Sequence, residues 1–158
     1  MLGKTACVFT GHRELNEKFN IAALDEAIER FINDGVEKFY CGMALGFDLL
    51  AAERVIQLKS KYPRVQLIAC IPCANQSEKY SPFQQKRYFE ILKKCDEEIC
   101  LSEFYFKGCM HARNLYMVDH SNCMIAYIKK EEGGTAFTVD LFQRKKPQCE
   151  VCFVGDFE

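Results

Sequence analysis

Three glycine-containing turns and one Arg-Asn pair hold most of the residues in this chain whose types and spacing suit ligand chemistry. Thr10-Gly11-His12-Arg13 puts an imidazole and a guanidinium just past a residue with no side chain. An Arg offers paired N–H donors to a phosphate or carboxylate, and Gly lets a ligand approach the backbone closely. On their own, the same residues serve equally as a tight turn with a surface Arg. Gly42-Met43-Ala44-Leu45-Gly46-Phe47-Asp48 has neither the GK[ST] of a P-loop nor the GxGxxG spacing of a dinucleotide site. Its Asp48 is read as a helix cap or as an acceptor for a ligand hydroxyl. Arg113-Asn114, taken alone, is an exposed helical pair. Gly133-Gly134-Thr135 opens a helix, with Thr135 as a good N-cap. Turns of this kind leave backbone N–H groups unpaired at a helix N-terminus, where the dipole favours an anion. Several of them along one sheet edge predict a pocket for a phosphorylated ligand.

The elements that must position these turns are legible as apolar runs. Strands are expected at 5–10, 37–41, 65–71, 97–101, 122–128 and 148–154. Helices are expected at 21–34, 48–62, 82–95, 111–120 and 135–146, with an aromatic-rich loop at 102–110. Ile21, Leu24, Ile28 and Phe31 recur at helical spacing before Gly35. Pro63 stops the second helix and Pro82 suits the first turn of the third. The strands are continuously apolar and alternate with helices. That pattern implies an α/β fold with a mostly parallel sheet covered on both faces. Right-handed crossovers then bring every strand's C-terminal end to one edge, where such sheets bind ligands. The glycine turns fall on that edge.

Composition sets limits. With 158 residues the chain is expected to form one domain, 1–158, burying about 70% of its unfolded surface. It then needs neither disulfides nor metal. A net charge of −1 argues against a general polyanion binder, and nucleic acid is an unfavoured partner. Lys129-Lys130 and Arg144-Lys145-Lys146 are short and read as solvated ends, and Asp96-Glu97-Glu98 as a solvated strand edge. No targeting segment or ~20-residue apolar span is evident, so no membrane partner and a cytoplasmic location are expected. Most of the ten cysteines sit in apolar runs and are read as small hydrophobes. Two CxxC pairs, Cys70–Cys73 and Cys149–Cys152, lie in strand sequence rather than in the turns of a zinc site. No metal site is expected. Cys149 and Cys152 should point to opposite faces. His12, His111 and His120 lack metal-ligand spacing, and no nucleophile elbow, HExxH or triad pattern identifies a catalytic residue.

Taken in order, the four motifs resemble the SLOG superfamily, which groups the Smf/DprA DNA-processing proteins with the LOG nucleotide phosphoribohydrolases. The similarity is nearest to the small YpsA-like and YoqJ-like proteins and runs from about Lys4 to Val154. Gly11-His12-Arg13 resembles a Gly-Ser-Arg-like turn of the DNA-processing proteins. Cys41-Gly42-Met43-Ala44-Leu45-Gly46-Phe47-Asp48 resembles their Ser-Gly-x-Ala-x-Gly-Ile-Asp motif. Arg113-Asn114 matches their Arg-Asn helix, and Gly134-Thr135-Ala136-Phe137-Thr138 resembles their Gly-Ser-Leu-x-Thr-Ala turn.

The resemblance implies a modified Rossmann-like three-layer α/β/α sandwich with a pocket for nucleotides or ADP-ribose-like molecules. It places Gly11, His12, Arg13, Gly42, Met43, Ala44, Gly46, Asp48, Arg113, Asn114, Gly133, Gly134 and Thr135 at that pocket, and implies homo-oligomers. LOG enzymes carry Pro-Gly-Gly-x-Gly-Thr-x-x-Glu with a catalytic Glu. Here Glu131-Glu132-Gly133-Gly134-Thr135 leads to Thr138 instead, with Asp140 nearby. The expected function is therefore binding of a nucleotide-like ligand, as in a sensor; no cofactor is otherwise implied. An N-glycosidase using Asp48 or Asp140 is the alternative, and a single-stranded DNA module the second alternative. Tyr80 or the aromatics at 102–106 are expected to stack on a base.

Overall fold

The protein, seen here as a computed structural model describing residues 3–129 and 132–158, alternates strand and helix along its whole length. Lys130 and Glu131, named among the motifs above, lie outside the described residues. The elements are β1 (Ala6–Gly11), α1 (Ile21–Asn33), β2 (Lys38–Cys41), α2 (Phe47–Leu58), β3 (Gln66–Ile71) and α3 (Pro82–Lys94). They continue with β4 (Glu97–Cys100), α4 (Cys109–Asp119), β5 (Cys123–Tyr127), α5 (Gly134–Lys145) and β6 (Glu150–Val154). The six strands form one sheet in the order β4-β3-β2-β1-β5-β6, and every neighbouring pair is parallel.

The central strands are apolar throughout because both faces of the sheet are covered. Phe9, Phe39, Leu67 and Ile125 point to the face carrying α1, α2 and α3, where they meet Leu24, Ile28, Phe31 and Val55. Val8, Ile68 and Met124 point to the face carrying α4 and α5, against Met117, Val118, Val139 and Phe142. Cys152 packs on the first face and Cys149 on the second, as their spacing requires.

The chain winds outward from β1 through β2 and β3 to β4, then returns to place β5 on the other side of β1. The connections leaving β1 and β5 therefore part to opposite faces and open a crevice between them. Helix starts differ according to whether they face this crevice. The Asn20 side chain caps α1, accepting from the Ala23 N–H at 3.0 Å. Ser81 and Gln84 form a capping box on α3. Helices α2, α4 and α5 begin instead at Gly46, Gly108 and Gly133, and no side chain caps them. Two expectations are corrected here. The N-cap of α5 is Gly133, at φ 99° and ψ −173°, a conformation that excludes a β-branched Thr. Thr135 is buried in the first turn. Asp48 likewise lies inside the first turn of α2, because Gly46 takes the cap position at φ 82°.

The turns after β1 and β2 are pressed together. A Cβ on Gly46 would overlap the Arg13 carbonyl, and one on Gly11 would overlap the Phe47 ring. The Phe47 N–H donates to the His12 carbonyl across the same contact at 3.1 Å. By contrast, a Cβ on Gly134 meets nothing within 4 Å. Gly46→Ala should therefore destabilise the fold by about 3 kcal/mol, from left-handed strain plus overpacking. Gly134→Ala should change stability by less than about 1 kcal/mol. Urea unfolding of both variants checks this, and equal effects would contradict it.

Candidate functional site

The turns after β1 and β5, with the first turns of α2, α4 and α5, enclose a cleft of about 660 Å³ at the C-terminal edge of the sheet. Its size is that of a small-molecule site, about 300–1,000 Å³. Gly11, His12 and Arg13 form one wall, Ala44 and Asp48 the next, and Arg113 and Asn114 the third. Gly133, Gly134 and Thr135 close the ring. Gly42, Met43 and Gly46, expected at the pocket, stand behind the wall. Met43 is fully buried at φ 60°, and a Cβ on Gly42 would collide with the Arg113 guanidinium at 2.6 Å. These positions admit close approach of the chain to itself.

Arg113 is not an exposed helical residue but a buried strut, 5% exposed. Its Nη1 donates to the Gly42 carbonyl at 2.6 Å and its Nε to Asn114 Oδ1 at 2.6 Å. Asn114 Nδ2 donates to Thr138 Oγ1 at 3.2 Å, and that hydroxyl donates to the Gly134 carbonyl at 2.8 Å. One hydrogen-bonded chain thus ties the end of β2 to the start of α5. Thr138, at the position where the resemblance places a catalytic Glu, is fully buried within it. Asp140 faces away, exposed and paired with Arg144 at 2.6 Å. Among the described residues, Asp48 is therefore the carboxylate on the cleft wall.

Asp48 is buried, and its Oδ2 accepts one N–H, from Ala44 at 3.3 Å. Its Oδ1 is buried with no hydrogen-bond partner among the described residues. Burial pushes its pKa up to about 6, opposed by Arg113, the Ala44 N–H and Arg13. On the neighbouring wall, the exposed Arg13 makes no hydrogen bond or ion pair among the described residues. His12 Nε2 accepts the Lys129 N–H at 2.7 Å, joining the turn after β1 to the turn after β5.

The aromatic wall differs from expectation. Phe104, Tyr105 and Phe106 are 72%, 65% and 42% exposed and do not line the cleft. Tyr80 is half-buried, edge-on to Tyr88 at 5.8 Å, and near enough to Arg13 and Asp48 to feel both charges. Phe9, His12, His111 and Phe137 put rings on the cleft lining, and Phe137 and His111 meet edge-to-face at 4.9 Å. Phe137 was legible in principle, one helical turn beyond Gly133-Gly134 on the same face of α5. The charge run at β4 is solvated as expected, with Asp96, Glu97 and Glu98 all exposed. Asp96 is held below the usual carboxylate range despite partial burial, with Lys59 at 2.6 Å and the Leu67 N–H at 2.8 Å. Among the described residues no group of three or more His, Cys, Asp or Glu side chains gathers to hold a metal, and no helix is long and apolar enough to cross a membrane.

A parallel sheet of this order, with its crevice between β1 and β5, defines a Rossmann-type α/β protein related in fold to DNA-processing protein A. The structure of that protein from Streptococcus pneumoniae superposes with a TM-score of 0.68 at 18% identity, covering 94% of this chain and 50% of that one. The Helicobacter pylori protein, described in its single-stranded DNA binding mode, gives 0.61 at 21% identity, covering 93% of this chain and 64% of that one. This chain thus spans half of the first and less than two thirds of the second. A family model described as the YspA SLOG family matches residues 7–153, and the chain belongs to that family. A UPF0398 protein of Halalkalibacterium halodurans is 28% identical over 129 residues, 80% of this chain and 68% of that one. The SPbeta prophage-derived protein YoqJ of Bacillus subtilis is 29% identical over 127 residues, 73% of this chain and 72% of that one.

Asp48 sets a pH signature. Its folded pKa is raised from 3.8 to about 6, so between those values the folded protein binds the proton more tightly than the unfolded chain. Stability is then lost as pH rises through that window, by about 3 kcal/mol at most. Asp48→Asn should flatten this component and be more stable than the parent at pH 7.5. Unfolding of both proteins at pH 4.5 and 7.5 tests it; an identical pH slope in the variant would refute the assignment.

Proposed function

We propose that this cleft binds a nucleotide or a nucleotide derivative, as a ligand-binding domain of the sensor kind. The observation that carries the reading is Asp48, whose buried Oδ1 has no hydrogen-bond partner among the described residues, on the wall of a cleft ringed by three helix starts that no side chain caps. A buried acceptor without a donor costs about 1–3 kcal/mol, and a ligand hydroxyl supplies the donor. Uncapped helix starts and the exposed Arg13 suit a phosphate. The half-exposed Phe137 ring on the cleft lining offers a face to a base. Sugar hydroxyl, phosphate and base together describe a nucleotide.

Hydrolysis of the glycosidic bond is the second reading, favoured by the half-protonated state of Asp48 near pH 6. Against it, Thr138 and Asp140 put no carboxylate opposite Asp48, and an oxocarbenium-like transition state gains most from a placed carboxylate. A DNA strand also brings phosphates, and the Helicobacter pylori protein has a single-stranded DNA binding mode. The net charge of −1 favours a free nucleotide for this chain.

Titration calorimetry with nucleoside 5′-phosphates tests the proposal. Arg13→Ala should weaken binding by ~1.5–3 kcal/mol, the worth of a charged hydrogen bond. Because the hydroxyl donates to the ionised Asp48, affinity should fall about tenfold from pH 7.5 to pH 5, where roughly a tenth of the group is charged. Affinity that ignores both Arg13 and pH would place the ligand elsewhere.

A further inference from the structure

Three cysteines meet where the turn after β3, the end of β4 and the start of α4 converge. β3 and β4 stay paired beyond their last ladder residues. Ile71 stands opposite Cys100, the Leu101 N–H donates to the Ile71 carbonyl at 3.1 Å, and the Ala74 N–H donates to the Ser102 carbonyl at 2.9 Å. That continuation sets Cys73 beside Cys100, whose thiol donates to the same Ser102 carbonyl at 3.1 Å. Cys109 is the first residue of α4. The Cys73 thiol meets the Cys109 thiol directly and lies near enough to Cys100 to feel its charge. Cys73 and Cys109 are buried, but the cover is thin: Ala74, Asn75 and residues 103–108 are exposed, and so is Cys100.

We infer that Cys73 and Cys109 form a reversible disulfide, loaded through the exposed Cys100 by a low-molecular-weight disulfide such as oxidised glutathione. The bond forms whatever the cleft binds. The exchange takes three steps. The Cys100 thiolate attacks one sulfur of the small disulfide, and the first glutathione leaves as a thiolate. The Cys73 thiolate attacks the Cys100 sulfur, and the second glutathione leaves. The Cys109 thiolate attacks the Cys73 sulfur and releases Cys100, which recovers its proton. The protons given up by Cys73 and Cys109 pass to the two glutathione thiolates, so the small disulfide is reduced by two electrons and the protein pair oxidised by two. Burial pushes the Cys73 thiol up, and Cys109 adds to that. Such a thiol is a poor leaving group, which favours keeping the bond once it is made.

Burial next to another thiol is not enough by itself. Cys7 and Cys123 also interact, but they stand opposite one another on the central strands β1 and β5, where the backbone yields only by breaking the ladder. Cys73 and Cys109 sit on a turn and on a helix start, which open at lower cost. Their link ties the turn after β3 to α4 one helical turn before Arg113. Both elements already share an acceptor, the Gly42 carbonyl, reached by Gln76 Nε2 at 3.2 Å and Arg113 Nη1 at 2.6 Å. Oxidation therefore stiffens the cleft wall that Arg113 and Asn114 form.

The test incubates the reduced full chain with oxidised glutathione, blocks free thiols with an alkylating agent and maps tryptic peptides by mass spectrometry. Peptide 65–79 should be joined to peptide 108–113, with fragmentation placing the bond at Cys73 and not at Cys70. Cys7 and Cys123 should be recovered alkylated, and dithiothreitol should separate the joined peptides. Cys100→Ser, a change at an exposed position, should slow the joining at least about tenfold, because the buried pair then lacks its entry thiol. Folded parent protein that stays unmodified, that holds glutathione at Cys100 without joining the two peptides, or that places the bond at Cys70 overturns the inference. So does a Cys100→Ser variant that closes the bond at the parent's rate.

Discussion

The site depends on the contact between the turns after β1 and β2. Gly46 approaches the Arg13 carbonyl closely enough to exclude any side chain, and Phe47 fills the space that Gly11 leaves. Each turn is therefore the other's template. The β2 turn cannot move without carrying the Arg13 backbone, and the helix that follows it carries Asp48. Beneath the contact, Phe47 meets Phe9 at 6.2 Å, Phe19 at 6.0 Å and Tyr127 at 6.0 Å, so the same ring anchors the floor under β1 and β5. Interiors packed to crystal-like density transmit such constraints with little give. The cleft acid and the exposed guanidinium are thereby held on adjoining walls by backbone geometry, not by a salt bridge between them.

Much of the fold was legible in the sequence because the strands are buried on both faces and their apolar runs are unbroken. The elements fall where hydrophobic pattern, Gly35, Pro63 and Pro82 put them, with ends shifted by a few residues. The expectation of a mostly parallel sheet sharpened to one that is parallel throughout. The candidate site was legible as a location but less so as a set of roles. Gly42 and Gly46 suggested close approach of a ligand. The approaching groups are Arg113 and the Arg13 backbone. Local sequence cannot reveal them, because one comes from 71 residues ahead and the other from the turn of the preceding strand. Thr135 and Asp48 suggested caps, and a glycine at positive φ two positions earlier took that place in each helix. The exposed aromatics of the loop after β4 attracted attention by composition alone. That loop leaves the edge strand, three strands away from β1, and only the topology discloses the distance.

Arg113 shows how one buried cation can serve structure and electrostatics together. Burying a guanidinium is costly unless its donors are used, and here carbonyls and an amide take them. Those partners are neutral, so the positive charge is not cancelled where it is satisfied. Asp48 feels it: Arg113 leads the influences that offset burial of the carboxyl, ahead of the Ala44 N–H and Arg13. The result is an acid balanced near neutrality, neither locked in an ion pair nor driven fully into its neutral form. Such a group responds to a donor brought by a ligand, which an acid already in a salt bridge would not.

The hydrogen-bonded chain through Arg113, Asn114, Thr138 and Gly134 also bears on chemistry. A carboxylate at position 138 would have to replace a hydroxyl that both donates to the Gly134 carbonyl and accepts from Asn114. An ionised carboxylate accepts only, so it would face the Gly134 carbonyl without a proton to give and would sit fully buried beside it. The first turn of α5 would have to shift to relieve that pairing. The Thr at this position is thus coupled to the placement of Gly133 and Gly134 at the mouth of the cleft, both of which meet open space. An arrangement that keeps this helix start open to an anion and one that presents a second carboxylate are different solutions for the same turn. This chain has the first, with the Thr138 hydroxyl bonded to the Gly134 carbonyl and both glycines facing open space.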